Sequence, residues 1–452
     1  MKKLFFLLLF ISSFTNAQQS DSIFIEQLAN EILTNGKAYD NLYYLTKKIG
    51  NRLAGSTNIL QAEQWGAQIF LQYGADTVFL QPCKVPVWQR GTKDFANLYI
   101  GNKKIPLTAL ALGNSVGSKS IINAPLLVVQ NFEELEKRKN EVSNKVVYFN
   151  QAFKVTNIQP FKSYGETGIY RRFAPSMAAK YGALAVLIRS LTEEPNFAHT
   201  GSTVYNDSFP KIPAMAVSNK SADVIWSNKN NATLKVSLQT HGKFYDSVIN
   251  HNVIATIKGT LYPHQYITVG GHLDSWDVGE GAHDDGAGIV QTIEILRAFK
   301  ALGYQPKHTI RFVLFANEEN GLMGGKTYAA KAFENKEEHV FALESDAGGF
   351  TPRSFGFNNI NTFQLNNINT WLPLLQPYGI DKFSNSGGGA DINPLKQYFK
   401  NIVLAGLQPD AQRYFDYHHA RNDTFEQVNK RELLLGAINM AALLYLVDKY
   451  MF

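Results

Sequence analysis

Hydrophobic positions along this chain fall into two kinds of run. Short apolar runs rich in β-branched and aromatic residues, at 266–269, 310–315, 340–343 and 402–405, have the length and composition of buried strands. After the first of them, Ile289, Val290, Ile293, Leu296 and Phe299 recur at helical spacing. Strand, loop and helix alternate in this way beyond about residue 247, which is the pattern of an α/β domain. Nearer the N-terminus, Ile23, Ile25, Leu28 and Ile32 predict one helix and a second run at 62–71 predicts another, with the turn residues of IGNRLAGST between them. Val78, Leu80 and positions 85–88 predict strands. Between about 107 and 246, short strands are expected at 125–129, 145–149, 183–188 and 234–238, with one helix at about 176–181. The last helix, about 430–450, carries an apolar run at 433–447, shorter than the roughly 20 residues that cross a bilayer. It reads as a core helix.

A chain of 452 residues exceeds what one core usually supports, so two domains are expected. Residues 1–17, MKKLFFLLLFISSFTNA, join two lysines, an apolar stretch and the small Ala17 ahead of a polar QQS. That is the composition of a secretory signal peptide, so an exported protein, periplasmic or secreted, without a stable membrane anchor is expected. The single cysteine, Cys83, excludes an internal disulfide and a cysteine-based metal site. The formal charge of +6 falls to about +4 without Lys2 and Lys3, and no basic block interleaved with aromatics stands out, so nucleic acid is not an expected partner.

The chemistry-bearing residues sit just after the predicted strands. The segment GGHLDSWDVGEGAHDDGAG places His272 at a strand end and Asp284 at the entry to the next helix. NEENG, ESDAGG and YHHARNDT then add Glu318, Glu319, Asp346, His418, His419 and Asp423 after three further strands. In an open α/β sheet, ligands bind outside the carboxyl ends of the strands. Imidazoles mixed with carboxylates suit a zinc-type ion better than calcium, which takes oxygen alone. Five such ligands fit two ions that share one carboxylate. One acid is then left over for proton transfer, and Glu318 and Glu319 diverge if the chain there is extended.

In this order and spacing, GGHLDSWDVG, AHDDGAG, NEENG, ESDAGG and HHARNDT resemble the metal-site blocks of the co-catalytic dinuclear-zinc exopeptidases, in particular their carboxypeptidase Q branch. The resemblance is collinear over nearly the whole mature chain, and VVYFN, AAKYGALAVLIRS, AHTG and KIPAMAVS look like the protease-associated insert of that branch. It implies an α/β zinc-exopeptidase fold with a mixed, largely parallel sheet flanked by helices. The peptidase domain would cover 18–106 and 247–452, and the smaller insert 107–246. It also implies two Zn2+ per chain, with His272 and Asp346 on one, Glu319 and His419 on the other, Asp284 bridging them and Glu318 as general base. Hydrolysis of dipeptides and short peptides follows from the resemblance, and the family's homodimer is an open expectation. A broad aminopeptidase on the same scaffold would carry the same metal motifs. A receptor-like homologue without metals is opposed by the intact ligand set. Side-chain preference and physiological substrate are not legible.

Neighbouring residues carry expectations of their own. Asp274, two positions beyond His272, is expected to accept the second N–H of that imidazole. Asp285 reads either as the residue that shapes the backbone after the bridging carboxylate or as a helix N-terminal acid. His418 is a candidate donor to a developing oxyanion, His283 is expected at the rim, and Asp277, Glu280 and Glu344 read as loop polarity or supporting contacts. The Gly387, Gly388, Gly389 run could offer N–H groups to a substrate carboxylate. For the insert, a spacer or lid without chemistry stands beside a role in shaping the mouth of the cleft.

Overall fold

The computed structural model describes residues 2–451, with side chains from residue 19 onward. The signal peptide expected over residues 1–17 therefore lies outside the residues described in full. Two mixed sheets of eight strands each organise the chain. In the first, the order is Thr77–Gln89, Lys243–Ile257, His308–Phe315, Tyr262–His272, Glu338–Glu344, Val403–Pro409, Pro352–Asn358 and Lys382–Ser384. The four strands from His308–Phe315 to Val403–Pro409 run parallel, flanked by antiparallel neighbours. Their carboxyl ends therefore open on one edge, where the four predicted motif blocks follow them.

The central strands are buried on both faces, which is why they read as continuous apolar runs rather than alternating ones. One face is covered by the helix Ala287–Ala301, which packs between the sheet and Lys430–Tyr450. Asn429 caps the latter helix by accepting the N–H groups of Arg431 and Glu432. Lys430–Tyr450 has the bounds expected of it and, at 21 residues, is by length and composition alone long and apolar enough to cross a bilayer. Burial decides its role, since 83% of its most apolar window lies inside the protein.

The second sheet takes its strands from Phe95–Ile100 to Leu234–Gln239, between two neighbouring strands of the first. Phe95–Ile100 pairs with Lys103–Leu107 and with Leu234–Gln239, so the inserted unit begins before residue 107, where the sequence pattern divided the chain. Pairing between distant strands made that assignment, and apolar periodicity does not encode it. The helix expected at about 176–181 is Pro160–Ala179, with Pro160 opening it and Pro175 inside. Its polar, glycine-containing first half hid it from a search for apolar spacing. The strands expected around Val78 and at 85–88 form one continuous strand, Thr77–Gln89, with a register shift between Val85 and Val87.

Candidate active site

His272 is the last residue of its strand, and its Nδ1–H donates to the backbone carbonyl of Asp274 at 3.0 Å. That bond fixes the tautomer and leaves Nε2 facing Asp284 Oδ1 at 3.3 Å and Asp346 Oδ1 at 3.4 Å. On the other side of Asp284, Oδ2 lies 3.4 Å from His419 Nε2, which is itself 3.1 Å from Glu319 Oε2. Two donors about 2.0–2.1 Å from a tetrahedral ion stand about 3.3–3.4 Å apart, so both groups have the spacing of atoms that share one metal. Asp284 belongs to both groups. Its Oδ2 and Glu319 Oε1 are buried without a hydrogen-bond partner, as expected of oxygens that face a cation. Two imidazoles and three carboxylates with no thiolate are a donor set that fits zinc.

His418 also approaches Asp284, at 3.7 Å, and its ring stacks on His419 with centroids 3.5 Å apart. Asp284, His418 and His419 could thus group around one ion, but the short contact to Glu319 belongs to His419. Burial pushes the His418 imidazole down to about 3, so it is neutral at ordinary pH. His419 holds its ring in place with a left-handed backbone at φ 62°.

Glu318 and Glu319 stand in a single helical turn, Glu318–Gly321, bracketed by left-handed Asn317 and Leu322. The expected extended chain is absent there, and the two side chains diverge because adjacent helical residues point about 100° apart. Glu319 is buried against His419, whereas Glu318 is half-buried and lines the cleft. Burial, with the carboxylates of Asp346 and Asp274 adding to it, raises the Glu318 carboxyl to about 8.

Asp274 departs from its expected role. Its carboxylate lies 3.8 Å from His272 Nδ1 and instead accepts the backbone N–H groups of Glu318 at 2.9 Å and Glu319 at 3.3 Å. The carbonyl takes the imidazole because the chain turns after His272 and leaves the extended geometry that would have aligned the side chain. Asp285 accepts from the backbone N–H of His272 and of Gly288, both at 3.0 Å, so it secures a strand end and a helix start at once. Asp423 accepts from the N–H groups of His283 at 2.7 Å and Asp284 at 3.2 Å, tying the last block to the bridging residue.

His283 is not at the rim. It is buried, stacked on Phe350 with centroids 4.2 Å apart, and its Nδ1 accepts from Gly349 N–H. An aromatic slot, invisible in the local sequence, accounts for it. Asp277 pairs with Arg90 at 2.7 Å, and Glu280 with Lys47 at 2.6 Å. Glu344 is buried, accepts from Ile392 N–H, and is pushed up to about 8 by burial. The glycine run does not line the cleft; a Cβ on Gly389 would lie 2.1 Å from Glu344 and one on Gly387 2.2 Å from the Gly356 carbonyl. Glycine is required there for close packing against a strand edge.

The inserted unit reaches the backbone of the clustered residues themselves. Thr200 N–H donates to the His419 carbonyl, His199 Nδ1–H to the His418 carbonyl, and Ser202 Oγ–H to the Glu319 carbonyl. Two buried arginines were missed by sequence reasoning because neither stands in a motif. Arg52, within IGNRLAGST, donates to the carbonyls of Leu273, Glu280 and Gly281 and so folds the loop that carries Asp284. Arg171, on Pro160–Ala179, lies 3.4 Å from His419 Nδ1. A cleft of about 580 Å³ opens between the two units, lined by Tyr164, Arg171 and Ser202 on one side and by Glu318, Asp346 and Tyr414 on the other.

Residues 252–444 match Peptidase family M28. Carboxypeptidase Q from Homo sapiens is 35% identical over 414 residues, covering 91% of this chain and 85% of its own, and that from Xenopus laevis is 34% identical over 92% and 85%. The crystal structure of a Peptidase M28 precursor from Shewanella amazonensis superposes with a TM-score of 0.90 at 30% identity, over 96% of this chain and 98% of that one. A zinc aminopeptidase from Bacillus subtilis shares the fold, with a TM-score of 0.64 at 19% identity over 92% and 96%. Likeness to carboxypeptidase Q across nine-tenths of this chain, with a catalytic-type cluster at the sheet edge, means that the chain belongs to peptidase family M28, among the carboxypeptidase Q-like metallopeptidases.

Proposed function

We propose that this chain is an exported exopeptidase that hydrolyses dipeptides and short peptides with two zinc ions. The observation that carries this reading is the placement of Asp284, whose two oxygens stand 3.3 and 3.4 Å from the Nε2 atoms of His272 and His419. His272, Asp284 and Asp346 would hold one ion, and Asp284, Glu319 and His419 the other. When bound, zinc supplies Lewis acidity that acidifies water and polarises a carbonyl. Glu318, the remaining cleft acid beside these ligands, takes the proton of the attacking water on a carboxylate oxygen and passes it to the leaving amine nitrogen. His418, neutral and beside Asp284, would donate to the oxygen of the scissile carbonyl as charge develops there. Asp274 and Asp285 hold the backbone of Glu318, Glu319 and His272, which keeps base and ligands in register.

Export rests on the composition of residues 1–17, and mature protein beginning near Gln18 is the expected product. Elemental analysis of purified protein together with a dipeptide assay tests the catalytic reading. Close to two zinc ions per chain and hydrolysis abolished by chelation are expected. Full activity with at most one tightly bound ion would refute the shared-bridge arrangement.

A further inference from the structure

Trp276 is 3% exposed, and its indole N–H has no hydrogen-bond partner among the described residues. Packing holds the ring in place, so it cannot turn to find one. It stands edge-on to Trp88, with centroids 6.3 Å apart, and edge-on to His419 at 5.8 Å, with Leu53 and Val278 beside it. A Cβ on Gly113, in the inserted unit, would collide with the six-membered edge of the indole, so glycine is what lets the two units close on it. A buried donor left unpaired carries the full cost of its desolvation.

A void of about 10 Å³ adjoins the indole, walled by Trp276, Val278, Gly279, Asp284, Glu319 and His419. That is the space of a single water. The same wall carries acceptors without a partner. Glu319 approaches His419 Nε2 through Oε2, at 3.1 Å, while its Oε1 is buried with no hydrogen-bond partner among the described residues. Asp284 Oδ2 is the other such oxygen, and the two-zinc reading commits it to the ion on the His419 side. Glu319 Oε1 has no such commitment. An indole N–H only donates and a carboxylate oxygen only accepts, so the two are complementary, but they are too far apart to pair directly. One water between them satisfies both.

We propose that this void binds a single structural water, which accepts from Trp276 Nε1–H and donates to Glu319 Oε1, and that Trp276 is thereby a positioning residue for Glu319. A carboxylate engaged in this way on one oxygen offers only the other to a metal. Held to Oε2, Glu319 leaves a coordination position free for water or substrate, as a catalytic zinc requires. This role deepens the two-zinc reading and rests on it.

The first test is a crystal structure of the zinc-loaded wild type at a resolution that shows ordered water. A water within roughly 3.2 Å of both Trp276 Nε1 and Glu319 Oε1 is expected, with Glu319 bound through one oxygen. A void without water, a void filled by the ion itself, or both Glu319 oxygens on the metal overturns the proposal. The second test is Trp276→Phe, which removes the N–H and keeps an aromatic ring beside His419. With cobalt(II) in place of zinc, visible absorption reports coordination number, because four-coordinate cobalt absorbs more strongly than five- or six-coordinate cobalt. The variant is expected to absorb more weakly than wild type, and its zinc form to lose about tenfold or more in kcat with little change in KM. An unchanged cobalt spectrum overturns the proposal even where turnover falls, since lost packing alone lowers activity without changing the coordination number. If the variant does not fold, the wild-type crystal structure decides. Fewer than two zinc ions per chain in wild type would count against the two-zinc reading, while the crystal structure would still show whether water joins Trp276 to Glu319.

Discussion

The carboxylate of Asp274 accepts the backbone N–H of Glu318 at 2.9 Å while its own carbonyl takes the Nδ1–H of His272 at 3.0 Å. One residue thereby ties the first motif block to the second, and the position of His272 to that of Glu318. Removing the side chain frees the NEENG turn but leaves the imidazole bond, because the carbonyl remains. Asp274→Ala is therefore expected to lower activity and to weaken zinc retention at the Glu319 and His419 site more than at the His272 and Asp346 site. Losses of about ten- to a hundredfold are the usual scale for such supporting partners. Stepwise zinc release under a chelator titration checks it, and equal release from both sites would contradict the assignment.

Glu318→Gln separates holding from chemistry. The amide keeps the size of the acid and cannot take a proton, so turnover should fall by at least about 10²-fold while zinc content stays at the wild-type value. Zinc loss from a folded variant, like that expected of His272→Ala, would show that Glu318 is a ligand and that the Glu318 and Glu319 roles are reversed.

The parallel strands and the residues at their ends were legible because both are local: an apolar run, a turn and a polar block follow one another in sequence. His272, Asp284, Glu319, Asp346 and His419 converge as expected once the sheet forms. What the sequence hid depends on contacts between distant segments. Asp274 could be placed beside His272, but which of its oxygens the ring would meet depends on how the following turn runs. His283 was misplaced because its slot is built by Phe350 and Tyr417, more than sixty positions away. Arg171 and the 199–202 segment look like ordinary helix and loop until the inserted unit is seen lying on the ligand block.

Away from the site, Glu337 offers a test of charge pairing at the opposite end of the sheet. Burial alone would raise its carboxyl, but hydrogen bonds from His339 and the Arg311 guanidinium, at 3.0 and 2.6 Å, carry it down to about 2. A carboxyl held below its ordinary value contributes stability above that value and loses it as pH falls toward the folded one. Glu337→Gln should therefore be less stable than wild type at pH 7. The gap should narrow by about 0.8 kcal/mol between pH 7 and pH 4, from the ordinary carboxylate value and a folded value near 2. Denaturant unfolding of both proteins at the two pH values measures it, and a gap independent of pH would remove Glu337 as the titrating group.

Gly201, in the inserted unit, packs directly against His419 and Arg171. Its φ is +115°, and a Cβ there would lie 2.5 Å from His419 Nδ1 and 2.6 Å from Arg171 Nη1. Any side chain must push the imidazole or the arginine aside and also adopt a backbone conformation that costs about 1–3 kcal/mol outside glycine. Gly201→Ala is thus expected to lower zinc affinity at the His419 site and activity together, by tenfold or more, with a modest fall in Tm. Gly165, in the helix that carries Arg171, provides the control, since a Cβ there meets nothing within 4 Å. Gly165→Ala should leave activity unchanged and raise stability by about 0.5–1 kcal/mol, the ordinary gain for alanine over glycine inside a helix. If Gly201→Ala keeps full zinc and full activity, the inserted unit does not press on His419 as the structure has it, and its hydrogen bonds to the two histidine carbonyls would be contacts of assembly alone.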